Sequence, residues 1–352
     1  MNQNSYISGR VISSMDRYAR QVLLSQIGEG GQRALEDSSV VVVGCGALGS
    51  SIAEHLTRAG VGDILVVDRD FIELSNLQRQ HLFTEMDVGE PKAEITETRL
   101  KAINSDISIT GVVDDVTCRN VEHYIKNRDL VLDGTDNLDV RFLLNDACNK
   151  NKTPLIFGAC VAVHGMSMSI LPEGPCLRCL FPQIPPPDSI PTCDTVGIIN
   201  TLPTVVSSMQ STEAIKYLVS GQLDSRLLVV DVWERDFRTI EVSQRKSCPC
   251  CVDHAYEYLE GRAPAAAVVR GRNAVHLSPP YEMSLSLDDL ADSLSSRGTV
   301  RKTPHILFFT RDTETFSIFP DGRAVIKGTN DAKKAQSLYK EYVEKYVKEK
   351  YK

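Results

Sequence analysis

Apolar and polar positions along this 352-residue chain follow two periods, and they lay out most of its elements. Four consecutive valines at 40–43 form an uninterrupted apolar run, the pattern of a strand buried on both faces. From 47 to 59 apolar residues recur at helical spacing, and 64–67 is a second apolar run that ends in Asp68. The same reading predicts a helix from 92 to about 104, opened by Pro91, which suits a first helical turn. It continues with strands over 107–113 and 130–133, a short crossover helix over 119–127 and a helix over 138–150. Strands over 153–158 and 162–171 follow, then an amphipathic helix over 201–219, of a kind common at subunit interfaces, and a hairpin over 227–242. Residues 16–36 read as a surface helix broken at Gly28 and Gly30-Gly31. Strands alternating with helices in this order predict an α/β fold: a Rossmann-like, doubly wound, mostly parallel sheet with an antiparallel extension.

Residues 261–267, reading GRAPAAA, are a linker by composition. Beyond them the pattern predicts a strand over 268–277, a helix over 286–294 and paired strands over 305–310 and 315–319. A turn at Asp321-Gly322, a strand over 324–327 and a charged helix over 331–346 complete a small α/β module. The expected organisation is therefore a core over 1–260, the linker, and a C-terminal module over 268–352 whose sequence carries no chemistry.

Composition narrows the class without naming it. Apolar content of 42% with 24% charged residues is ordinary for a globular protein. The opening MNQNSYISGR lacks the apolar core of a signal peptide, and no apolar run approaches the ~20 residues of a membrane span. A net charge of −7 argues against nucleic acid as the main partner. Ten cysteines without a secretory signal point to reduced or metal-bound thiols in the cytoplasm.

The chemistry gathers at the breaks in the pattern. Between the first strand and its helix the chain reads Gly44-Cys45-Gly46-Ala47-Leu48-Gly49, and Asp68 closes the second strand. Strand, glycine-rich turn, helix, strand and acid make a nucleotide-binding unit, in which glycines admit a phosphate to a helix N-terminus and the acid meets a ribose. This unit alone fits a nicotinamide dehydrogenase equally well. Ser75-Asn76-Leu77-Gln78-Arg79-Gln80 and Lys92 then add donors and cations beyond the needs of a pyrophosphate, and these suit a triphosphate. Lys92 also reads as an ordinary solvated lysine. Asp133 runs into Gly134-Thr135-Asp136-Asn137 at the carboxyl end of a parallel strand, where open sheets bind ligands. Asp136 is equally placed to cap the next helix, and Arg141 either supports this loop or makes a surface ion pair. Cys176-x-x-Cys179 and Cys248-x-x-Cys251 together predict a closed four-thiolate zinc site, structural in kind, with disulfides or reduced thiols as the alternatives. Cys193 follows a proline-rich stretch at 182–191 and reads as part of a mobile crossover segment.

Arg17-Tyr18-Ala19-Arg20-Gln21, GCGALG, SNLQRQ, Lys92 and DGTDN stand in an order seen in one family. Over about 16–260 the chain resembles the MoeB/ThiF/HesA adenylyltransferases, relatives of ubiquitin-activating enzymes. The resemblance implies ATP-dependent adenylation of the C-terminal glycine carboxylate of a small ubiquitin-fold sulfur carrier of the ThiS/MoaD kind, ending in Gly-Gly, with release of pyrophosphate. It implies ATP at Gly44, Gly46, Ala47, Gly49, Asp68, Ser75, Asn76 and Asn137, phosphate contacts from Arg79 and Lys92, and magnesium at Asp136. It further implies a homodimer in which Arg20 reaches the nucleotide of the other subunit. Cys193 takes the position that in some members joins a covalent link to the carrier, or else is one more reduced thiol. Cys250 fits the family spacing poorly and reads as a spare. Many members end before the C-terminal module and others carry a rhodanese there, which this module does not match. Three alternatives stand beside this reading: adenylation of a small peptide's C-terminus, an NAD-dependent oxidoreductase, and a non-catalytic carrier-binding protein.

Overall fold

The computed structural model of the chain describes residues 5–7, 10–12, 14–183, 192–261, 274–277, 279, 283–304, 306–329 and 331–346. The expected linker after Gly261, the first six residues of the strand expected over 268–277 and most of the proline-rich stretch lie outside the described residues. The chain divides into two compact units, one formed by 1–185 with 197–264, the other by 186–196 with 265–352.

The first unit opens with a hairpin, β1 (Ser5–Ile7) against β2 (Arg10–Ile12), and two helices, α1 (Ser14–Val22) and α2 (Gly28–Glu36). The expected break at Gly30-Gly31 is absent; both glycines lie inside α2. A Cβ at Gly31 would come within 2.7 Å of Val219, so this glycine serves a close helix contact rather than a turn. The main sheet is built from β3 (Ser39–Val43), β4 (Asp63–Val67), β5 (Ser108–Val112), β6 (Leu130–Asp133), β7 (Leu155–Val161), β8 (His164–Ile170), β9 (Leu227–Asp231) and β10 (Asp236–Ile240). Its strand order is β10-β9-β8-β7-β6-β3-β4-β5, parallel from β5 to β7 and antiparallel from β7 to β10. That is the expected doubly wound sheet with its antiparallel extension.

Helices α3 (Ala47–Ala59), α4 (Lys92–Ile103), α5 (Val121–Ile125), α6 (Leu138–Asn151), α7 (Leu177–Leu180) and, after α8 (Cys193–Val196) of the second unit, α9 (Thr201–Ser220) complete the set. The valine run explains the layers. Side chains alternate across a strand, so Val40 and Val42 join a core with α3, α4 and α9, while Val41 and Val43 join another with α5, α6 and α7. Helix α9 packs its buried residues against α2, α3, β7 and β8.

From β3 the chain winds outward through β4 and β5, then crosses back to place β6 on the other side of β3. The reversal makes a topological switch point between β3 and β6, outside which ligands of such sheets bind. Register brings three carboxyl ends level there, Val43 beside Val67 on one side and beside Asp133 on the other.

The second unit is a five-stranded antiparallel sheet, β11 (Ala274–Leu277), β12 (Thr299–Lys302), β13 (Leu307–Arg311), β14 (Glu314–Ile318) and β15 (Ala324–Lys327), in the order β11-β15-β14-β13-β12. Two helices, α10 (Leu287–Ser295) and α11 (Ala332–Tyr339), cover a core that includes Phe309, Phe316 and Tyr342. Strand β12 was not expected.

Candidate functional site

The turn after β3 is held by contacts that only glycine allows. Gly44, at φ +89°, donates its N–H to the Val67 carbonyl, and a Cβ there would meet the Gly134 backbone at 2.9 Å. A Cβ on Gly49 would sit 1.7 Å from the Gly44 carbonyl oxygen, and one on Gly134 would sit 2.5 Å from the Gly49 Cα. The first turn of α3 is thus jammed into the end of β6. Gly46 differs. It stands just ahead of α3 with φ −72°, and a Cβ on it would meet nothing closer than the Gly134 oxygen at 3.8 Å and the Gln80 amide at 3.9 Å. No packing inside the protein requires a glycine there. The space it leaves lies over Ala47 and the unpaired N–H groups that open α3, where the helix dipole favours an anion.

Asp68 closes this turn from the side. Its carboxylate accepts the N–H of Cys45 at 2.5 Å and of Asp70 at 2.6 Å. Burial raises its pKa, and the Lys92 ammonium opposes the rise. Cys45 is fully buried, and burial, then the Asp68 charge, lifts its thiol well above the usual range, so it is no nucleophile.

Lys92 is not a solvated lysine. It is 4% exposed, its Nζ lies 3.2 Å from an Asp70 oxygen, and its N–H donates to the Asp70 carbonyl at 2.9 Å. Two further backbone bonds, Ile72 to Glu90 and Gly89 to Ile72, fasten the segment after β4 to the start of α4 and so bring lysine and aspartate together. Asn76 is buried and its Oδ1 accepts the Glu73 N–H, while Arg79 donates to the carbonyl of the exposed Ser75 at 3.0 Å.

On the other side of β3, Asn137 and not Asp136 caps α6, its Oδ1 accepting from Asp139 and Val140. Capping therefore does not account for Asp136, which is exposed at the carboxyl edge of the sheet. Arg141 is largely covered, its side chain 14% exposed, beside the buried Asp133, and is no surface pair. Arg20 is exposed in the last turn of α1. The same helix is docked by Arg17 on Asp106 and by the Tyr18 hydroxyl, which accepts from Asn104. Cys193 is half-buried and opens α8, a short helical turn within the second unit.

The four cysteines expected to bind metal meet. Cys176, Cys179, Cys248 and Cys251 are buried with all four sulfurs within 4.8 Å of one another. Sγ–Sγ separations of 3.6 Å for Cys176–Cys248 and 3.5 Å for Cys179–Cys251 rule out disulfides of about 2.05 Å. A tetrahedral ion with bonds of about 2.3 Å would set its ligands roughly 3.8 Å apart, so the cluster fits zinc with no position left open. Cys250 stays outside the four, its sulfur accepting from Asn145 at 3.2 Å.

Sequence reasoning missed Asp70, and it gave Gln80 and Gly134 no role of their own within the motifs that contain them. Asp70 was signalled only by its place two residues after Asp68. Gln80, 3% exposed and with its Oε1 unpaired, had no signal beyond closing the SNLQRQ run.

Fold and site together define an α/β protein of the nucleotide-binding kind with a separate cysteine cluster whose geometry fits a metal. The profile of the ThiF family matches residues 18–250, and the chain belongs to that family. It is 38% identical over 334 residues to the sulfur carrier protein ThiS adenylyltransferase of Bacillus subtilis, covering 93% of this chain and 99% of that one. The SAMP-activating enzyme E1 of Haloferax volcanii is 40% identical over 250 residues, 70% of this chain and 93% of its own. Among solved structures, E. coli MccB with ATP shares the fold at a TM-score of 0.59 and 22% identity, over 68% of this chain and 75% of that one. The glycine-rich turn thus belongs to a ThiF-family adenylyltransferase and not to a dehydrogenase.

Proposed function

We propose that this ThiF-family enzyme uses ATP to adenylate the C-terminal glycine carboxylate of a small ubiquitin-fold sulfur carrier, releasing pyrophosphate and leaving an acyl-adenylate open to sulfur. The observation that carries the reading is the unfilled approach over Gly46 at the start of α3, beside the buried Lys92 and its partner Asp70. A carboxylate with a pKa of about 3.5 is already ionised near neutrality and needs no general base. The task is to bring one anion onto the α-phosphorus of another, which is positioning and charge neutralisation. Gly44, Gly46, Ala47 and Gly49 would receive the phosphates together with Asn76, Asp68 would hold the ribose, and Ser75 and Asn137 would meet other polar edges of the nucleotide. Arg79 and Lys92 would neutralise charge that grows on the leaving pyrophosphate. Magnesium, which Asp136 is placed to hold at the exposed edge, would supply further charge there.

We extend the reading to a homodimer. Arg17 and Tyr18 commit one face of α1 to docking, and Arg20 is left exposed beside Leu23 and Leu24, 78% and 51% exposed. A second subunit covering those leucines would receive Arg20 at its own nucleotide. The cysteine cluster is read as structural zinc, the working compartment as the cytoplasm, and Cys193 as a candidate for a covalent link to the carrier. Among carriers a ThiS-like protein is favoured, because an alignment covering 93% of this chain extends into the C-terminal module.

Carrier-dependent ATP–pyrophosphate exchange tests the reading. Exchange is expected with one Gly-Gly carrier and is lost, about 100-fold or more, in Asp136→Ala with the fold intact. Exchange retained in that variant would remove Asp136 from the mechanism. No exchange with any carrier would remove the proposed reaction.

A further inference from the structure

Behind the exposed Asp136 lies a buried ion pair that no ligand contact requires. Asp133, the last residue of β6, is 1% exposed, and Arg141, one turn into α6, reaches back to it with Nε 3.3 Å from Oδ2. That contact is not aligned as a hydrogen bond, so the attraction is one of charge. The other Asp133 oxygen accepts both the N–H and the hydroxyl of Thr135, at 2.9 and 2.7 Å, and folds the chain sharply after the strand. Arg141 also donates through Nη2 to the Thr135 carbonyl at 2.5 Å. This carbonyl belongs to the peptide plane whose nitrogen is that of Asp136. Fixing its oxygen fixes the plane, and with it the direction in which Asp136 leaves the backbone. The grip is itself braced. The guanidinium lies over the Phe157 ring at 5.4 Å, and Gln210 of α9 donates to the Asp133 carbonyl at 3.0 Å.

We propose that Arg141, acting with Asp133, is a positioning residue that aims Asp136 at the metal of the bound nucleotide. A charge pair with one partner buried and the other largely covered is costly to desolvate, and apolar replacements of such pairs are often as stable or more so. What the pair supplies is a rigid fork that holds a carboxylate and a carbonyl at once. The proposal rests on the adenylation reading for the identity of that metal, Mg²⁺ carried by ATP.

The test is a calorimetric titration of the full chain with ATP across a series of Mg²⁺ concentrations, run beside pyrophosphate exchange and urea unfolding. Arg141→Lys keeps the charge and loses the fork. The Mg²⁺ concentration for half-maximal ATP binding is expected to rise tenfold or more, with kcat reduced and the KM for the carrier unchanged. The double variant Asp133→Asn/Arg141→Gln removes both charges together and guards against a variant that fails to fold; it is expected to show the same Mg²⁺ shift. An unchanged Mg²⁺ midpoint in both, whatever the urea midpoint does, overturns the proposal. Wild-type protein that binds ATP with Mg²⁺ but exchanges with no carrier would instead overturn the adenylation reading and leave this one standing.

Discussion

Replacing Gly46 by alanine separates packing from ligand approach more cleanly than any other change in the glycine-rich turn. The backbone at Gly46 has φ −72° and ψ −155°, an extended conformation open to alanine, and the new methyl would make only ordinary contacts at 3.8 and 3.9 Å. Loss of a glycine at an unstrained position restricts the unfolded chain, so stability should rise by about 0.4–1 kcal/mol. Nucleotide binding should move the other way. A phosphate oxygen bonded to a backbone N–H lies about 2.8 Å from the nitrogen, whereas a methyl carbon holds neighbours at about 3.5–4 Å. The methyl would cost at least one charge-assisted hydrogen bond, about 1.5–3 kcal/mol, or roughly ten- to a hundredfold in Kd. Gly49→Ala is the counter-control, because its Cβ would lie 1.7 Å from the Gly44 oxygen and the turn could not form. Calorimetry with ATP and urea unfolding read both quantities. A Gly46→Ala protein that unfolds like the wild type and binds ATP within twofold of it would refute a phosphate over α3.

Three further outcomes follow from the geometry. Cys176→Ser should lose the bound metal and about 3 kcal/mol or more of stability, read by metal analysis and thermal unfolding, since metal binding energy at such sites is folding energy. Cys250→Ala should retain the metal, because Cys250 stands outside the four ligands; metal loss in this variant would reassign the ligand set. Asp224, whose carboxyl the Arg226 side chain holds down to about 2 against about 3.9 when unfolded, contributes stability that is complete above pH ~4 and lost as pH falls through 4 toward 2. The pair is partly solvated, so Asp224→Asn should cost no more than about 1 kcal/mol at pH 7 and well under half of that at pH 2, where the group is half ionised; a difference at pH 2 as large as at pH 7 would contradict this.

What the sequence revealed and concealed follows from which interactions are local. The parallel strands were legible because burial on both faces leaves an unbroken apolar run, as in 40–43. Strand β12 was not, because Thr299–Lys302 holds a single apolar residue and pairs only with β13, as edge strands do. Gly30 and Gly31 read as breakers since the partner that needs the smaller residue, Val219, is remote in sequence. The same limit hid Gly134, whose need to be glycine comes from Gly49 across the sheet. The two cysteine pairs, by contrast, announced themselves because metal-ligand spacing is a local rule. Lys92 was placed by family order, but only the pairing of 70–72 with 89–92 explains why a buried lysine is tolerated: Asp70 stands beside it.

The candidate nucleotide site and the cysteine cluster share one element. Helix α6 begins at the Asn137 cap next to Asp136, and two turns on it carries Asn145 and Asp146, both buried. Asn145 accepts the N–H of Leu177, between Cys176 and Cys179, and donates to the sulfur of Cys250, beside Cys251. Asp146 accepts the N–H of Tyr258, beyond the second cysteine pair. Both cysteine-bearing segments are therefore fastened to the helix whose first turn carries Arg141 back to Asp133. A buried amide or carboxylate so engaged is costly to leave unpaired, so α6 cannot shift along its axis without breaking bonds at one end or the other. A metal that cross-linked the two segments would tighten the distal anchor, as Arg141 and Asp133 hold the loop at the other end. Four thiolates around one ion would leave no open position, so the cluster would serve the candidate site by holding that helix still.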